Sequence, residues 1–167
     1  MTGEVVVARW RARAPTVARL LQLAPLPLAF IGMGISAYLS FVHFSGVPLY
    51  CQGAGGCHTV QSSEYATLVG MPVALLGFLL YTGVFAAGLV ATRGRGPAAE
   101  TAPLLIFGMA LSGVLYSGYL TWLELYRIYA ICAWCVASAS LLGCIFALSV
   151  ADLAVSGRWR GRSSPLD

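Results

Sequence analysis

The amino-acid sequence predicts an all-α membrane protein, a bundle of four transmembrane helices with a short lid helix in the first extracytoplasmic loop. Three observations predict it. Of 167 residues, 59% are hydrophobic and only 10% are charged, and mean hydropathy is +0.81, leaving too little charge for a water-facing surface. Four stretches, Leu26 to Phe44, Met71 to Ala91, Ala102 to Leu123 and Ile128 to Ala151, contain no Asp, Glu, Lys or Arg. Each has roughly the 17 to 25 residues that a helix needs to cross about 30 Å of hydrocarbon. Hydrocarbon offers no partner to backbone N–H and C=O groups, so each stretch has to satisfy its own, as a helix does.

Residues 1–19 read as a basic cytoplasmic arm, 20–155 as the membrane domain, and 156–167, "SGRWRGRSSPLD", as a cytoplasmic tail. A cleaved signal peptide is the competing reading of the start, but "GISAYLSFVHF" stays apolar beyond any small-residue cleavage site. Arginine sets the orientation. Arg9, Arg11, Arg13 and Arg19 precede the first span, Arg93 and Arg95 lie between the second and third, and Arg158, Arg160 and Arg162 follow the fourth. Only Arg127 falls on the other side. Positive charge stays cytoplasmic, so both termini face in and the loops 45–70 and 124–127 face out. The net charge of +4 therefore reports topology, with contact to anionic lipid, rather than nucleic-acid binding.

The first outer loop, Ser45 to Gly70, contains "SSEYATLVG": a serine fit to cap a helix, an acid in the first turn and a closing glycine. That pattern predicts the lid helix, lying on the outer surface. "TRGRGPAAET", 92–101, is a cytoplasmic turn broken by glycine and proline. Small residues four apart, Gly108 with Ser112, Gly113 with Ser117 and Ser36 with Ser40, allow close helix approach.

The chain has five cysteines. Cys132 and Cys135 form a C-x-x-C at the outer start of the fourth span; Cys51 and Cys57 flank the flexible "QGAGG". Cys144 lies nine residues after Cys135, about 13 Å deeper and on the opposite helix face, and reads as a small buried hydrophobe. For the outer four, three readings compete. Static disulfide staples are one, although a C-x-x-C ring closes too short a loop to stabilise much. A metal site from Cys51, Cys57, His58, Cys132 and Cys135 is another, with ligand types that suit zinc and a spacing that does not. Thiol–disulfide exchange is the third and the one physical chemistry favours. A helix N-terminus lowers a thiol pKa, and a flexible pair can reach both an outside partner and the helix pair. Electrons moving inward through sulfur need an acceptor, and with no haem, flavin or iron–sulfur motif the two-electron acceptor available in a bilayer is a quinone.

The segments Cys51-x5-Cys57 with "HTVQSSEYATLVGMPVALLGFLLY", then "YLTWLEL", then "AICAWCVASA", make the chain similar to the vitamin K epoxide reductase family, in its bacterial disulfide-forming branch, over about Leu26 to Ala151. DsbB-type quinone reductases, with their C-x-x-C in the first outer loop, match less well. The resemblance implies that Cys51 takes electrons from a thioredoxin-like, DsbA-type partner and that Cys57 attacks Cys132. It further implies that Cys135 delivers two electrons to a quinone, menaquinone or ubiquinone, with no metal, in the bacterial inner membrane. It places Ser63 near the quinone and the second thiol, Tyr65 as an aromatic lid residue, and Leu120 in the pocket. Two departures, Ala139 and Pro72-Val73 where relatives carry a tyrosine and an amide, speak against epoxide reduction. The sequence carries no fused thioredoxin domain, so the partner is expected to be a separate protein. The alternative remains a metal-binding or structural membrane protein.

Other polar and aromatic residues read more plainly. Glu124 and Arg127, at i and i+3, are expected to form a surface pair, with proton supply the lesser reading of Glu124. Tyr116, Tyr119 and Trp122 recur on one helix as packing or interfacial aromatics, with Tyr116 a candidate wall of the quinone pocket. Trp134, inside the C-x-x-C, is a further quinone-contact candidate or an interfacial anchor. His58 beside Cys57 could assist thiolate formation but reads as an exposed loop residue, and His43 as an ordinary span end.

Overall fold

The computed structural model describes residues 17, 19–51, 56–68 and 70–156. The basic arm expected at 1–19 and the tail expected at 156–167 lie almost wholly outside these residues. Among them, four helical spans are long and apolar enough to cross a membrane: Arg19–Ser45, Val73–Arg93, Pro97–Ile128 and Ala133–Val155.

Helix α1, Pro25–Ser45, starts on a proline, which needs no N–H partner there, and stops at Gly46. Gly46 adopts a left-handed φ of 63° and donates its N–H to the Val42 carbonyl at 3.1 Å. The outer loop then folds as a five-residue helix α2, Cys57–Gln61, a 3-10 turn at Glu64–Ala66, and a minimal hairpin. In that hairpin β1, Thr67–Leu68, runs antiparallel to β2, Met71–Pro72, with Thr67 opposite Pro72 and Leu68 opposite Met71. Helix α3, Val73–Arg93, follows directly. After a turn through Gly96 at φ 82°, helix α4, Pro97–Leu123, runs on into a wide π turn, Glu124–Ile128. Helix α5, Ala133–Val155, completes the bundle.

Two sequence expectations change here. The lid expected as one helix across "SSEYATLVG" is instead α2 plus a turn and a hairpin. Ser63 is extended (φ −74°, ψ 154°), and its hydroxyl donates backwards to the Val60 carbonyl at 2.7 Å, closing α2 rather than capping a new helix. The fourth helix begins at Ala133, not Ile128, because Tyr129 takes a left-handed φ of 54° and breaks the chain direction. An apolar run reports depth in the bilayer; it does not fix where a helix starts.

The four long helices close a ring in which α1 packs on α3, α3 on α4, α4 on α5, and α5 back on α1. The core joins Ala29 of α1, Tyr81 and Val84 of α3, Ile106 and Ala110 of α4, and Leu142 and Ile145 of α5. Lipid is as apolar as leucine, so close fit rather than water exclusion holds such helices together. Glycines supply the sockets: a Cβ at Gly32 would overlap the Tyr81 ring, and one at Gly113 would press on Leu142 at 3.1 Å. Ser36 packs against Gly77 of the neighbouring helix. Gly108 faces open space, so the proposed Gly108–Ser112 contact face is not a helix interface. Large side chains such as Phe30, Phe41, Leu105 and Leu115 point outward, as lipid-facing residues do. Cys144 is also exposed on this surface, which corrects its reading as a buried residue. Its i, i+9 offset from Cys135 turned it away from the bundle axis.

Candidate active site

The C-x-x-C sits at the outer end of α5. Cys132 is the residue before the first helical turn, extended at φ −97° and ψ 110°, and its sulfur accepts the backbone N–H of Cys135 at 3.3 Å. Thus Cys132 occupies the capping position normally held by serine or aspartate, where unpaired N–H groups favour negative charge. The Cys132 thiol is held below the ordinary thiol range, first by the hydrogen bond from the Cys135 side chain and then by that backbone N–H, against the opposing effect of burial. Both cysteines of this pair are thiols, with Cys132 fully buried and Cys135 half-buried.

Cys51 and Cys57 are joined by a disulfide, with their Cα atoms 6.2 Å apart. Cys57 is fully buried and shares one packed cluster with Val60 and Cys132, against which Cys51, Cys135, Ile128, Ala130 and Trp134 also pack. The structure therefore brings all four outer cysteines together. Two contacts hold the loop pair against the helix pair. Gly56, just before α2, lies so close to the 130–131 backbone that a Cβ there would be 2.8 Å from the Ile131 nitrogen. Trp134 donates its indole N–H to the Tyr50 carbonyl at 3.0 Å and packs its ring on Tyr38 at 5.4 Å between centroids.

Beneath the cysteines lies a largely apolar cavity of about 440 Å³, between α1, α3, α4, α5 and the lid. Its size suits a small ring-bearing molecule, since ligand pockets run roughly 300–1,000 Å³. Ser63, Tyr65, Tyr116 and Leu120 line it, together with Cys135. Trp134 does not: its indole is committed to Tyr50 and Tyr38 on the outer side, so of the expected quinone contacts it alone is turned away. Cys51, Cys57 and Cys132 are also outside the lining, which leaves Cys135 as the sulfur on the cavity wall.

Two further residues belong to its walls: Tyr81, which sequence reasoning did not single out, and Glu124, to which it gave a proton-supply role only as the lesser reading. Tyr81 reaches the cavity from α3, and its hydroxyl donates to the Ser138 carbonyl at 2.8 Å, joining α3 to α5 below Cys135. Nothing local in the sequence marks a bond that spans 57 positions. Glu124 was misread. Only 4% of it is exposed, and its carboxylate accepts the Cys132 N–H at 3.0 Å instead of meeting Arg127 at the surface. In a π turn residues three apart no longer stack, so the i, i+3 pair does not form. Among the described residues, no group of three or more His, Cys, Asp or Glu side chains is arranged to hold a metal ion.

Four apolar spans with two cysteine pairs packed at one end, above an apolar cavity, define a multi-pass membrane protein built around paired sulfurs. More narrowly, the chain belongs to the vitamin K epoxide reductase family, whose model matches residues 24–150. It is similar to the "Thiol-disulfide oxidoreductase LTO1" of Arabidopsis thaliana, 30% identical over 123 residues, which are 71% of this chain and 33% of that relative. The chain thus spans about a third of the relative's length.

Proposed function

We propose that the protein is a thiol–disulfide oxidoreductase that oxidises a thioredoxin-like, DsbA-type partner on the outer side of a bacterial plasma membrane and passes the electrons to a quinone. One observation carries this reading: Cys57 and Cys132 are buried in the same cluster, while Cys135 alone of the four outer cysteines lies on the wall of the apolar cavity. That layout gives sulfur a path from the loop to the lipid-side pocket.

The steps balance as exchanges. A partner thiolate attacks Cys51, breaking the Cys51–Cys57 bond and releasing the Cys57 thiolate; the partner's second thiol then frees Cys51 and leaves the partner oxidised. Cys57 attacks Cys132 of an oxidised Cys132–Cys135 pair and releases the Cys135 thiolate. Cys51 then attacks Cys57, restoring the loop disulfide and freeing Cys132. The arrangement described above, a bonded loop pair beside two inner thiols, corresponds to this stage. A quinone in the cavity supplies the sink for two electrons and two protons. Cys135 faces that sink, Ser63 and Tyr65 cover it from the lid, and Tyr116 and Leu120 form its α4 wall. The depressed pKa of Cys132 favours it as the sulfur that departs when Cys51 closes on Cys57.

Anaerobic mixing of the reduced protein with ubiquinone and menaquinone analogues, followed by quinone absorbance, tests the reading. The wild-type protein is expected to reduce at least one analogue, and Cys135→Ala to lose this entirely while remaining inserted in the membrane. Unchanged turnover in Cys135→Ala would reject the assignment.

A further inference from the structure

An ionisable group inside a membrane span needs a physical reason to stay there, because burying it away from water is costly. Glu124 is such a group. It lies within the third span, is almost fully buried, and lines the same cavity as Cys135. Among the described residues no arginine pairs with it, and Arg127 of its own turn is exposed. Its carboxylate has two neighbours from the C-x-x-C. One oxygen accepts the Cys132 backbone N–H at 3.0 Å, and the Cys135 side chain, on the same cavity wall, interacts with the carboxylate. Cys135 thus has two candidate acceptors for its thiol proton, the Cys132 sulfur and Glu124.

We propose that the Glu124 carboxylate takes the proton of the Cys135 thiol as that sulfur gives up its electrons, and hands it to an oxygen of the acceptor in the cavity. The inference rests on the function proposed above and assigns its proton path. Oxidising the Cys132–Cys135 dithiol to a disulfide releases two electrons and two protons, and reducing a quinone to a quinol consumes both. Glu124 carries the Cys135 proton. The Cys132 proton leaves to water at the outer face, from which the second quinone oxygen is protonated. Glu124 returns to its carboxylate form each cycle, so it is a carrier rather than a consumed reagent. The other titratable side chains lining the cavity are Tyr65 of the lid, Tyr81 of α3, Tyr116 of α4 and Cys135 of α5. Among the described residues, Glu124 is the one carboxyl group on that wall.

The test uses the full chain in detergent or vesicles, comparing wild type with Glu124→Gln and Glu124→Asp. Glutamine keeps an oxygen for the Cys132 N–H, so the turn should persist; aspartate keeps a carboxyl and should restore part of the lost rate. Two measurements are made. In quinone reduction, Glu124→Gln is expected to be about 100-fold slower, the low end of what general acid–base assistance contributes. In quinone-free protein, alkylation of Cys135 by iodoacetamide is followed across pH by peptide mass spectrometry. Wild type should fall on the acid side, where the carboxyl is protonated and cannot accept, and level off above it. Glu124→Gln should lose that plateau and rise by about tenfold per pH unit, as thiol ionisation alone dictates. Equal quinone rates in wild type and Glu124→Gln would overturn the proposal. So would a slow Glu124→Gln whose alkylation profile matches wild type, which would make Glu124 a holder of the Cys132 N–H only. If wild type itself reduces no quinone, the functional reading fails, while the alkylation profile still decides whether Glu124 takes the Cys135 proton.

Discussion

Cys132 is the residue on which local structure and chemistry meet. As a helix cap it accepts the Cys135 N–H, and as a thiol it gains a donor from the Cys135 side chain. Both favour its thiolate, and burial opposes them. With Cys51, Cys57 and Cys144 replaced by serine, ultraviolet titration of the reduced pair should place the first ionisation below the ordinary thiol value of about 8.5. Cys135→Ala removes the side-chain donor, so the charged form loses stabilisation and the midpoint moves up. At any pH between the two midpoints, the thiolate fraction is then smaller in the variant. A midpoint that stays put would show that the backbone cap acts alone. The sequence made the four outer cysteines legible, because sulfur pairs beside apolar runs have few uses. It did not make Tyr81 legible, and it made Glu124 so only as a lesser reading. The burial of Glu124 against Cys132 depends on a turn whose width no pattern announces, and the bond of Tyr81 on a partner in another helix.

The lid shows how an element of modest length governs the reach of a cysteine. Helix α2 has only five residues, too few to be stable on its own, and is held by what it touches. Gly56 allows it to dock with its first turn against Ala130 and Ile131. Gly56→Val should push the start of α2 off that segment and slow the meeting of Cys57 with Cys132. In a Cys51→Ser, Cys135→Ser background, where the Cys57–Cys132 disulfide accumulates, non-reducing mass spectrometry would follow its formation. A drop of about tenfold or more is expected, since overpacking typically costs about 1–3 kcal/mol. An unaltered rate would mean that the lid moves freely. The spans were readable from the absence of charge, a signal that sums over some twenty positions. The lid was not. Its serine, acid and glycine signals suit a helix cap and a tight turn equally, and Ser63 bonding back to Val60 decided between them.

At the scale of the whole molecule, the cysteine cluster and the arginine-bearing ends lie at opposite faces of the ring. Arg19 at the start of the first span, Arg93 at the end of α3 and Arg95 before α4 share one end. With the positive end cytoplasmic, a cysteine-free background carrying Glu64→Cys should react with an impermeant maleimide in intact cells. Arg95→Cys should react only after the membrane is opened. The opposite pattern would invert the orientation and remove the proposed partner from reach. The complete enclosure of Cys132 has one more consequence. Glutathione and other small thiols or disulfides dissolved outside find no Cys132 sulfur to strike, so under the proposed scheme the exchange at that sulfur is shielded from leakage. In that scheme the entry point is the loop pair, and whoever can engage Cys51 controls the traffic.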